Sequence, residues 1–348
     1  MGVPLTKNPQ LKAQIKAQIK ATIRLAVFSA VLAACSTVSK ESTNEAERPL
    51  VGTVPTEEIH SEEGQASSSF EPNEEEQKRI EHRKFPLVLV LGPGMARGLA
   101  YAGVLKELSR SSVDVGAIVG IEMGALIGAL YCSSASVNEF EWKLLKLKKS
   151  IFQKSDFGLT FFTSENKTRA KNILHFLEEA IGEKTFEELR LPLKVGVYEE
   201  ESTHVSFIQS GKVIDAVMKA MTDYEYINPG NDLKLSIRSA SEYRPFPVEE
   251  ARELAIGPIV AVTVIKDMPT AKEQPYAIML RSAQLKSSEE LQQADYVLAP
   301  KKIEQIDYFE FAKKTDLLYL GEVAVKSHLT DIRYLIGDGD QQSGGGER

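Results

Sequence analysis

Apolar residues between positions 85 and 336 alternate between short continuous runs and stretches with helical spacing. The first run, 87–91, reads Leu-Val-Leu-Val-Leu, as expected for a strand buried on both faces. Further runs predict strands at 115–119, 193–198, 205–208, 259–265, 277–280 and 296–299. Spacings of three and four predict helices around 101–108, 125–131, 173–181 and 318–336. This alternation favours an α/β fold with a mainly parallel central sheet and helices on both faces, in three layers α/β/α.

The flanking residues differ from this region in composition. Residues 35–84 contain twelve Glu and many Ser and Thr, and such a stretch buries too little apolar surface to order itself. We therefore expect a flexible acidic tether there. The end of the chain, 337–348, is rich in Gly, Gln and Ser and predicts a disordered tail. The folded domain is thus expected at 85–336.

The formal charge of the chain excludes some classes of function. The formal charge of the chain is −7, and the first 34 residues contribute +5 of it, so the remainder carries −12. An acidic body argues against nucleic-acid binding, which needs clustered Lys and Arg. The His, Cys, Asp and Glu residues show no metal-ligand spacing, so we predict neither a metal nor a cofactor.

The N-terminus has the three parts of a secretory signal. A basic stretch ends at Arg24, an apolar run follows at 25–32, and small residues lead to Cys35. The tetrad Leu-Ala-Ala-Cys at 32–35 resembles a bacterial lipobox, in which the cysteine is lipidated and becomes the first residue of the mature protein. We expect residues 1–34 to be a signal peptide and Cys35 to anchor the chain to a membrane. By the same resemblance Ser36, rather than Asp, favours the outer membrane of a Gram-negative cell, with the domain facing the periplasm.

Two glycine-rich turns follow the first two predicted strands. Such turns aim backbone N–H groups and a helix N-terminus at a ligand. The second turn, Gly-Ile-Glu-Met-Gly at 120–124, has the frame of the nucleophile elbow G-x-S-x-G. Both flanking glycines, Gly120 and Gly124, are present, but Glu122 stands where the nucleophile belongs.

Six segments in this order resemble the patatin-like phospholipase family: LGPGMARGLAYAGVL (91–105), VGIEMGALIGALY (119–131), GEKTFEELRLPL (182–193), GKVIDAV (211–217), PVEEAREL (247–254) and ADYVLAP (294–300). The resemblance implies a patatin-like fold and ester hydrolysis by a Ser/Asp dyad through an acyl-enzyme. It also implies that residues 92–98 are the oxyanion loop.

The chain departs from that family pattern at three places. Glu122 replaces the serine. The family's Asp-Gly falls near Ser239, so the general base is also missing. In the loop, Pro93 has no N–H and Met95 fills a position that is normally Gly, and losing one oxyanion donor typically costs about 10²–10³ in rate. The parts of the pattern that remain are Gly92, Gly94, Arg97, Gly98, Gly120 and Gly124.

Other interpretations of these motifs stay open at this stage. Gly92-x-Gly94 followed by Asp114 mimics a dinucleotide site, although this match is weak and Asp114 precedes its strand. Glu122 at a helix N-terminus gains about 0.3–1 kcal/mol from the helix dipole, which is a purely structural role. Alternatively Glu122 is itself catalytic, which requires a base such as His175 or His204. The aromatic-rich segment 151–162 is either ordinary core or a site for an acyl chain.

The sequence therefore predicts a catalytically inactive patatin-like lipoprotein of the cell envelope. Its expected partners are the membrane, through Cys35, and either a lipid or acyl ligand or an envelope protein. The alternative is a divergent lipid acyl hydrolase that uses residues outside the family pattern.

Overall fold

The computed structural model describes residues 84–152, 165–223, 227–228, 237–266 and 277–338. Within these ranges seven strands form one sheet: β1 (Leu87–Leu91), β2 (Val115–Ile121), β3 (Leu193–Glu199), β4 (His204–Ile208), β5 (Ile237–Ser239), β6 (Ile259–Val262) and β7 (Tyr296–Leu298). The order is β4-β3-β2-β1-β6-β7, and β5 pairs with β3. The β2–β3, β1–β2, β1–β6 and β6–β7 pairs are parallel, whereas β4 and β5 run antiparallel to β3. The predicted mainly parallel α/β sheet is confirmed.

The helices of the described ranges are α1 (Ala100–Arg110), α2 (Met123–Cys132), α3 (Val137–Lys146), α4 (Glu165–Ala180), α5 (Val213–Met221), α6 (Val248–Arg252), α7 (Ala277–Leu291), α8 (Lys314–Ser327) and α9 (Leu329–Leu335). From β1 to β2 to β3 the chain moves towards one edge of the sheet, and from β6 to β7 towards the other. Because such crossovers are right-handed, the helices of the two halves cover opposite faces. This gives the three layers that the sequence predicts.

The centre of the sheet is the centre of the core. All five residues of β1 are fully buried, since helices cover both sides of this strand. On α2, Cys132 is also fully buried, and burial raises the pKa of its thiol to about 12. The backbone N–H of Phe85 donates to the carbonyl of Ile336 at 3.1 Å, so the two ends of the predicted domain meet.

Three predicted elements differ from the structure. Residues 277–280 begin helix α7 rather than forming a strand, because a short apolar run does not distinguish the two and helix-forming residues follow it. The predicted helix 318–336 is two helices, α8 and α9, separated at His328, whose ring nitrogen Nδ1 lies 2.7 Å from the Tyr296 hydroxyl. The predicted strand 259–265 ends at Val262, after which the Thr263 hydroxyl accepts a hydrogen bond from Ile265 N–H.

The predicted signal peptide, Cys35 and the tether lie outside the described residues, apart from Lys84, and so does the tail beyond Asp338. In the described part of the chain, no helix combines the length and the apolar character needed to cross a membrane.

Candidate active site

The elbow lies between β2 and α2, as its sequence frame predicts. Glu122 follows the last residue of β2 and has φ 53° and ψ −115°, a backbone conformation that costs a non-glycine residue on the order of 1–3 kcal/mol. Gly120 and Gly124 make this turn possible because a Cβ at either position would meet neighbouring backbone. The distances would be 2.6 Å to Cα of Ala125 from Gly120 and 2.0 Å to the carbonyl oxygen of Leu91 from Gly124.

The glycine-rich loop leaves the end of β1 and enters a short 3-10 turn, Met95–Leu99, before α1. Since β1 and β2 are parallel neighbours, this loop and the elbow lie at the same edge of the sheet. Met95 adopts a positive φ of 44°, at the position where the family pattern has Gly. Three side chains pack directly on the loop glycines: Phe246 on Gly92, Val264 on Gly94 and Met123 on Gly98.

The Glu122 carboxylate accepts hydrogen bonds from backbone N–H groups of the glycine-rich loop. Its Oε2 accepts a hydrogen bond from the N–H of Gly94 at 2.6 Å and a second from the N–H of Met95 at 3.2 Å. The side chain makes no capping hydrogen bond to α2, and Glu122 as a whole is 2% exposed. An acid at the elbow thus bonds to the neighbouring loop rather than capping its own helix.

A buried tyrosine completes this cluster. The Tyr101 hydroxyl donates to the carbonyl of Pro93 at 3.2 Å. Burial raises the pKa of Tyr101 well above its usual range, and the nearby Glu122 carboxylate raises it further. Tyr101 therefore stays protonated and fixes the loop. The sequence placed Tyr101 only in the helix core, since nothing in the helical pattern shows that its hydroxyl meets a carbonyl eight residues earlier.

Pro93 lies directly before the two residues of the loop that donate to Glu122. It supplies no N–H, but the next two residues do, so the loop still aims two donors at the elbow. Pro93 itself supplies no donor, as its chemistry requires, and the two donors that reach Glu122 come from Gly94 and Met95.

Arg97 points away from the elbow. Its Nε donates to the carbonyl of Ile306 at 2.6 Å, and its guanidinium lies 3.7 Å from the centre of the Tyr308 ring. Arg97 is nearly fully buried. It therefore holds the 304–308 segment against the loop and is not placed to meet a substrate.

The register of the sheet places Ser239 beside the elbow. On β3, Gly196 pairs with Ile121 of β2 and the next residue, Val197, pairs with Ser239 of β5. Strand β5 thus pairs with the same side of β3 as β2 does, and it begins just past the end of β2. The Ser239 hydroxyl lies 2.6 Å from that of Ser241, and both serines are buried. Two hydroxyls take the place where the family pattern has a carboxylate, and the sequence did not single out Ser241.

The structure does not favour two alternative interpretations: a catalytic Glu122 with a histidine base, and a dinucleotide site that includes Asp114. His175 is exposed and pairs with Glu178 and Glu179 of its own helix, as expected for a residue off the apolar face. His204 is exposed on edge strand β4. Neither is placed as a base for the buried Glu122. Asp114 lies before β2, at the opposite edge of the sheet from the glycine-rich loop, so the two do not form a dinucleotide site.

The aromatic-rich segment is described only at its start. Phe152 is buried and stacks on Phe311 with ring centres 4.1 Å apart, which is a core contact. Residues 153–164 lie outside the described ranges. Among the described residues, no group of three or more His, Cys, Asp or Glu side chains is arranged to hold a metal ion.

Comparison with solved structures gives low-scoring likenesses. The type III effector ExoU matches with a TM-score of 0.36 and 13% identity, over 71% of this chain and 53% of that chain. VipD from Legionella pneumophila matches with a TM-score of 0.37 and 12% identity, over 68% of this chain and 67% of that chain.

Comparison of sequences points to one family. The neuropathy target esterases sws of Drosophila grimshawi and Drosophila melanogaster are each 30% identical over 109 residues, which is 30% of this chain. The match spans only 7% of the length of either curated relative. The family model described as patatin-like phospholipase matches residues 89–222, from β1 through α5. The segment that holds the glycine-rich loop and the elbow is thus the part of the chain that is similar to patatin-like phospholipases.

Proposed function

We propose that this chain is a patatin-like domain that does not hydrolyse esters and acts by binding at the cell envelope. The observation that carries the proposal is the contact of Glu122 Oε2 with the N–H groups of Gly94 and Met95. An oxyanion hole works because its donors are aimed at charge that develops in the transition state. Here a resident carboxylate already accepts both donors, so a substrate oxyanion has no place to form.

The rest of the site supports the same conclusion. A carboxylate is a poor acyl acceptor, and the anhydride it would form with an acyl group is unstable. The hydroxyls of Ser239 and Ser241 bond to each other and do not act as a base at neutral pH. The nucleophile and the base of the family pattern are therefore both replaced, while the scaffold around them is intact.

The first prediction concerns turnover. We expect the purified full chain to give no hydrolysis of a short-chain p-nitrophenyl ester above the buffer rate, and the Glu122→Ala variant to give none either. Circular dichroism of both proteins checks that they are folded. Turnover by the full chain that disappears in Glu122→Ala would establish the divergent hydrolase instead, with Glu122 as its catalytic residue.

The ligand is tested by native mass spectrometry of the full chain, followed by lipid extraction. A co-purified phospholipid or fatty acid identifies a lipid-binding role. A clean apo mass directs the search to an envelope protein, to be captured by crosslinking in cells.

The second prediction concerns the anchor. Lipid on Cys35 holds the domain at the membrane, and Ser36 directs it to the outer membrane. In a Gram-negative host fed labelled palmitate, we expect the chain to take up label and to fractionate with the outer membrane. Cys35→Ala should lose the label, whereas Ser36→Asp should keep it and move to the inner membrane. Label in the Cys35→Ala variant would contradict the assignment.

A further inference from the structure

Helix α3 presents apolar side chains to solvent. Trp142 is 62% exposed and Leu145 is 64% exposed, although both are large and apolar. They are three residues apart on the helix, so they lie on the same side of it. The inner side of α3 packs against the domain through Phe140 and Leu144, which are buried. The exposed pair is therefore surplus to the packing of the domain.

The helix is held firmly in this orientation. Its first turn is capped, because the Ser136 hydroxyl accepts from the Glu139 N–H at 3.2 Å and the Glu139 carboxylate accepts from the Ala135 N–H at 2.8 Å. At its other end Lys314 donates to the carbonyls of Leu144 and Leu147 at 2.9 and 3.1 Å. The outward direction of Trp142 and Leu145 thus follows from fixed backbone contacts.

A basic cluster adjoins this pair. Lys146, Lys148 and Lys149 follow directly along the chain, and all three are exposed. Within the described residues, no carboxylate forms an ion pair with any of them, whereas Lys143 on the inner side pairs with Glu139. Three lysines that pair with no carboxylate in the described ranges stand out on a chain whose formal charge from residue 35 onwards is −12. We call Trp142, Leu145, Lys146, Lys148 and Lys149 the α3 patch.

The apolar part of the α3 patch continues into a groove between α3 and α8. This groove of about 140 Å³ is lined by Leu144, Leu145 and Leu318 together with Lys106, Glu141 and Lys314. The chain that leaves the patch reaches Phe152, which stacks on Phe311, and the turn at 311–313 contacts the 95–99 turn of the glycine-rich loop. The patch is thus connected through packed residues to the loop.

We propose that the α3 patch docks the domain on an anionic lipid surface. Tryptophan favours the membrane–water interface, because its ring is apolar and its N–H is polar. A helix with Trp and Leu beside several Lys is the pattern of segments that lie in the headgroup region. Lysines near an anionic leaflet add to the binding, and their positive charge complements phosphate headgroups. This inference is independent of the missing hydrolysis, so turnover in the ester assay leaves it standing.

The chain offers a direct test, because Trp142 is its single tryptophan. The full chain carrying Cys35→Ser, which has no cysteine to lipidate at that position, is titrated with phosphatidylcholine vesicles with and without phosphatidylglycerol. With the anionic vesicles, we expect the emission of Trp142 to shift to the blue and its quenching by acrylamide to fall. The basic residues up to Arg24 also attract vesicles, so the emission of Trp142, rather than sedimentation of the protein, is the readout.

Variants separate the parts of the patch. Lys148→Gln with Lys149→Gln should weaken the partition coefficient about 25-fold, since each lysine near an anionic surface contributes about fivefold. Leu145→Ser should weaken it about tenfold or more. The matched controls, Leu285→Ser and Lys301→Gln with Lys302→Gln, alter an equally exposed leucine and two exposed lysines elsewhere and should leave the titration unchanged.

Three results would overturn the proposal. The first is an emission spectrum that stays unchanged although the protein sediments with the vesicles, which places the contact elsewhere. The second is an equal shift with neutral vesicles, which removes the role of the lysines. The third is a blue shift that appears without vesicles as the protein concentration rises, which assigns the patch to a second copy of this chain.

Discussion

Gly103→Ala is expected to lower the free energy of unfolding by about 3 kcal/mol or more, although alanine is the better helix former by about 1 kcal/mol. Gly103 lies in α1 where this helix crosses α8. A Cβ there would lie 1.9 Å from the carbonyl oxygen of Leu318. That atom belongs to a helix backbone and cannot turn aside as a side chain does, so the two helices must separate.

The partner position on α8 gives the same result from the other side. A Cβ at Gly321 would lie 2.0 Å from the carbonyl oxygen of Ala100. Because one separation of the helices relieves both clashes, Gly103→Ala with Gly321→Ala should destabilise by less than the sum of the single variants. Urea unfolding of the three proteins, followed by circular dichroism, measures these differences.

Gly128→Ala is the matched control within another helix. A Cβ at Gly128 would meet only side chains, at 3.0 Å from Ile118 Cγ2 and 3.2 Å from Leu193 Cδ1. These side chains can shift by a few tenths of an ångström, and the gain in helix propensity of about 1 kcal/mol offsets the cost. We expect a change within about 1 kcal/mol. If Gly103→Ala were as mild as Gly128→Ala, the close crossing of α1 and α8 would be disproved.

The framework of the domain could be predicted from the sequence because its signals are local. The apolar run at 87–91 and the glycines at 120 and 124 each define one strand or one turn by themselves. Residues 277–280 carried no such signal: four apolar residues fit a strand or a helix, and only the following turns of α7 decide between them. Helix α3 was missed because Trp142 and Leu145 add apolar residues on its outer side and blur the helical period.

The sequence identified residues of the candidate site but did not indicate which atoms their side chains contact. The elbow frame identified Glu122, and the spacing of the family motif pointed to Ser239. Whether Glu122 would cap its helix, face a substrate or fill the loop depends on its side-chain conformation and on a loop 28 residues away. Sequence patterns do not contain that information. The same holds for Arg97, whose partners lie more than 200 residues later.

Glu122→Ala is expected to make the stability of the protein depend on formate. Removing the carboxylate leaves the buried N–H groups of Gly94 and Met95 without their acceptor, which costs about 2–5 kcal/mol. The emptied space then has two donors aimed at it and is the size of a small carboxylate. Formate that binds there stabilises the folded state by an amount that grows with the logarithm of its concentration, reaching about 2.7 kcal/mol at one hundred times its dissociation constant.

Thermal unfolding in sodium formate, against sodium chloride at equal ionic strength, measures this effect. The unaltered chain should gain nothing specific from formate, because Glu122 already fills the site. Glu122→Gln should also gain nothing, since its amide oxygen keeps an acceptor in the same space. Equal stabilisation of all three proteins would mean that formate acts as a general salt, and the carboxylate of Glu122 would then not be a resident anion of the oxyanion loop. Stabilisation of Glu122→Ala alone would show that the two N–H donors still bind an anion, and that in the unaltered chain the Glu122 carboxylate takes the place of that anion.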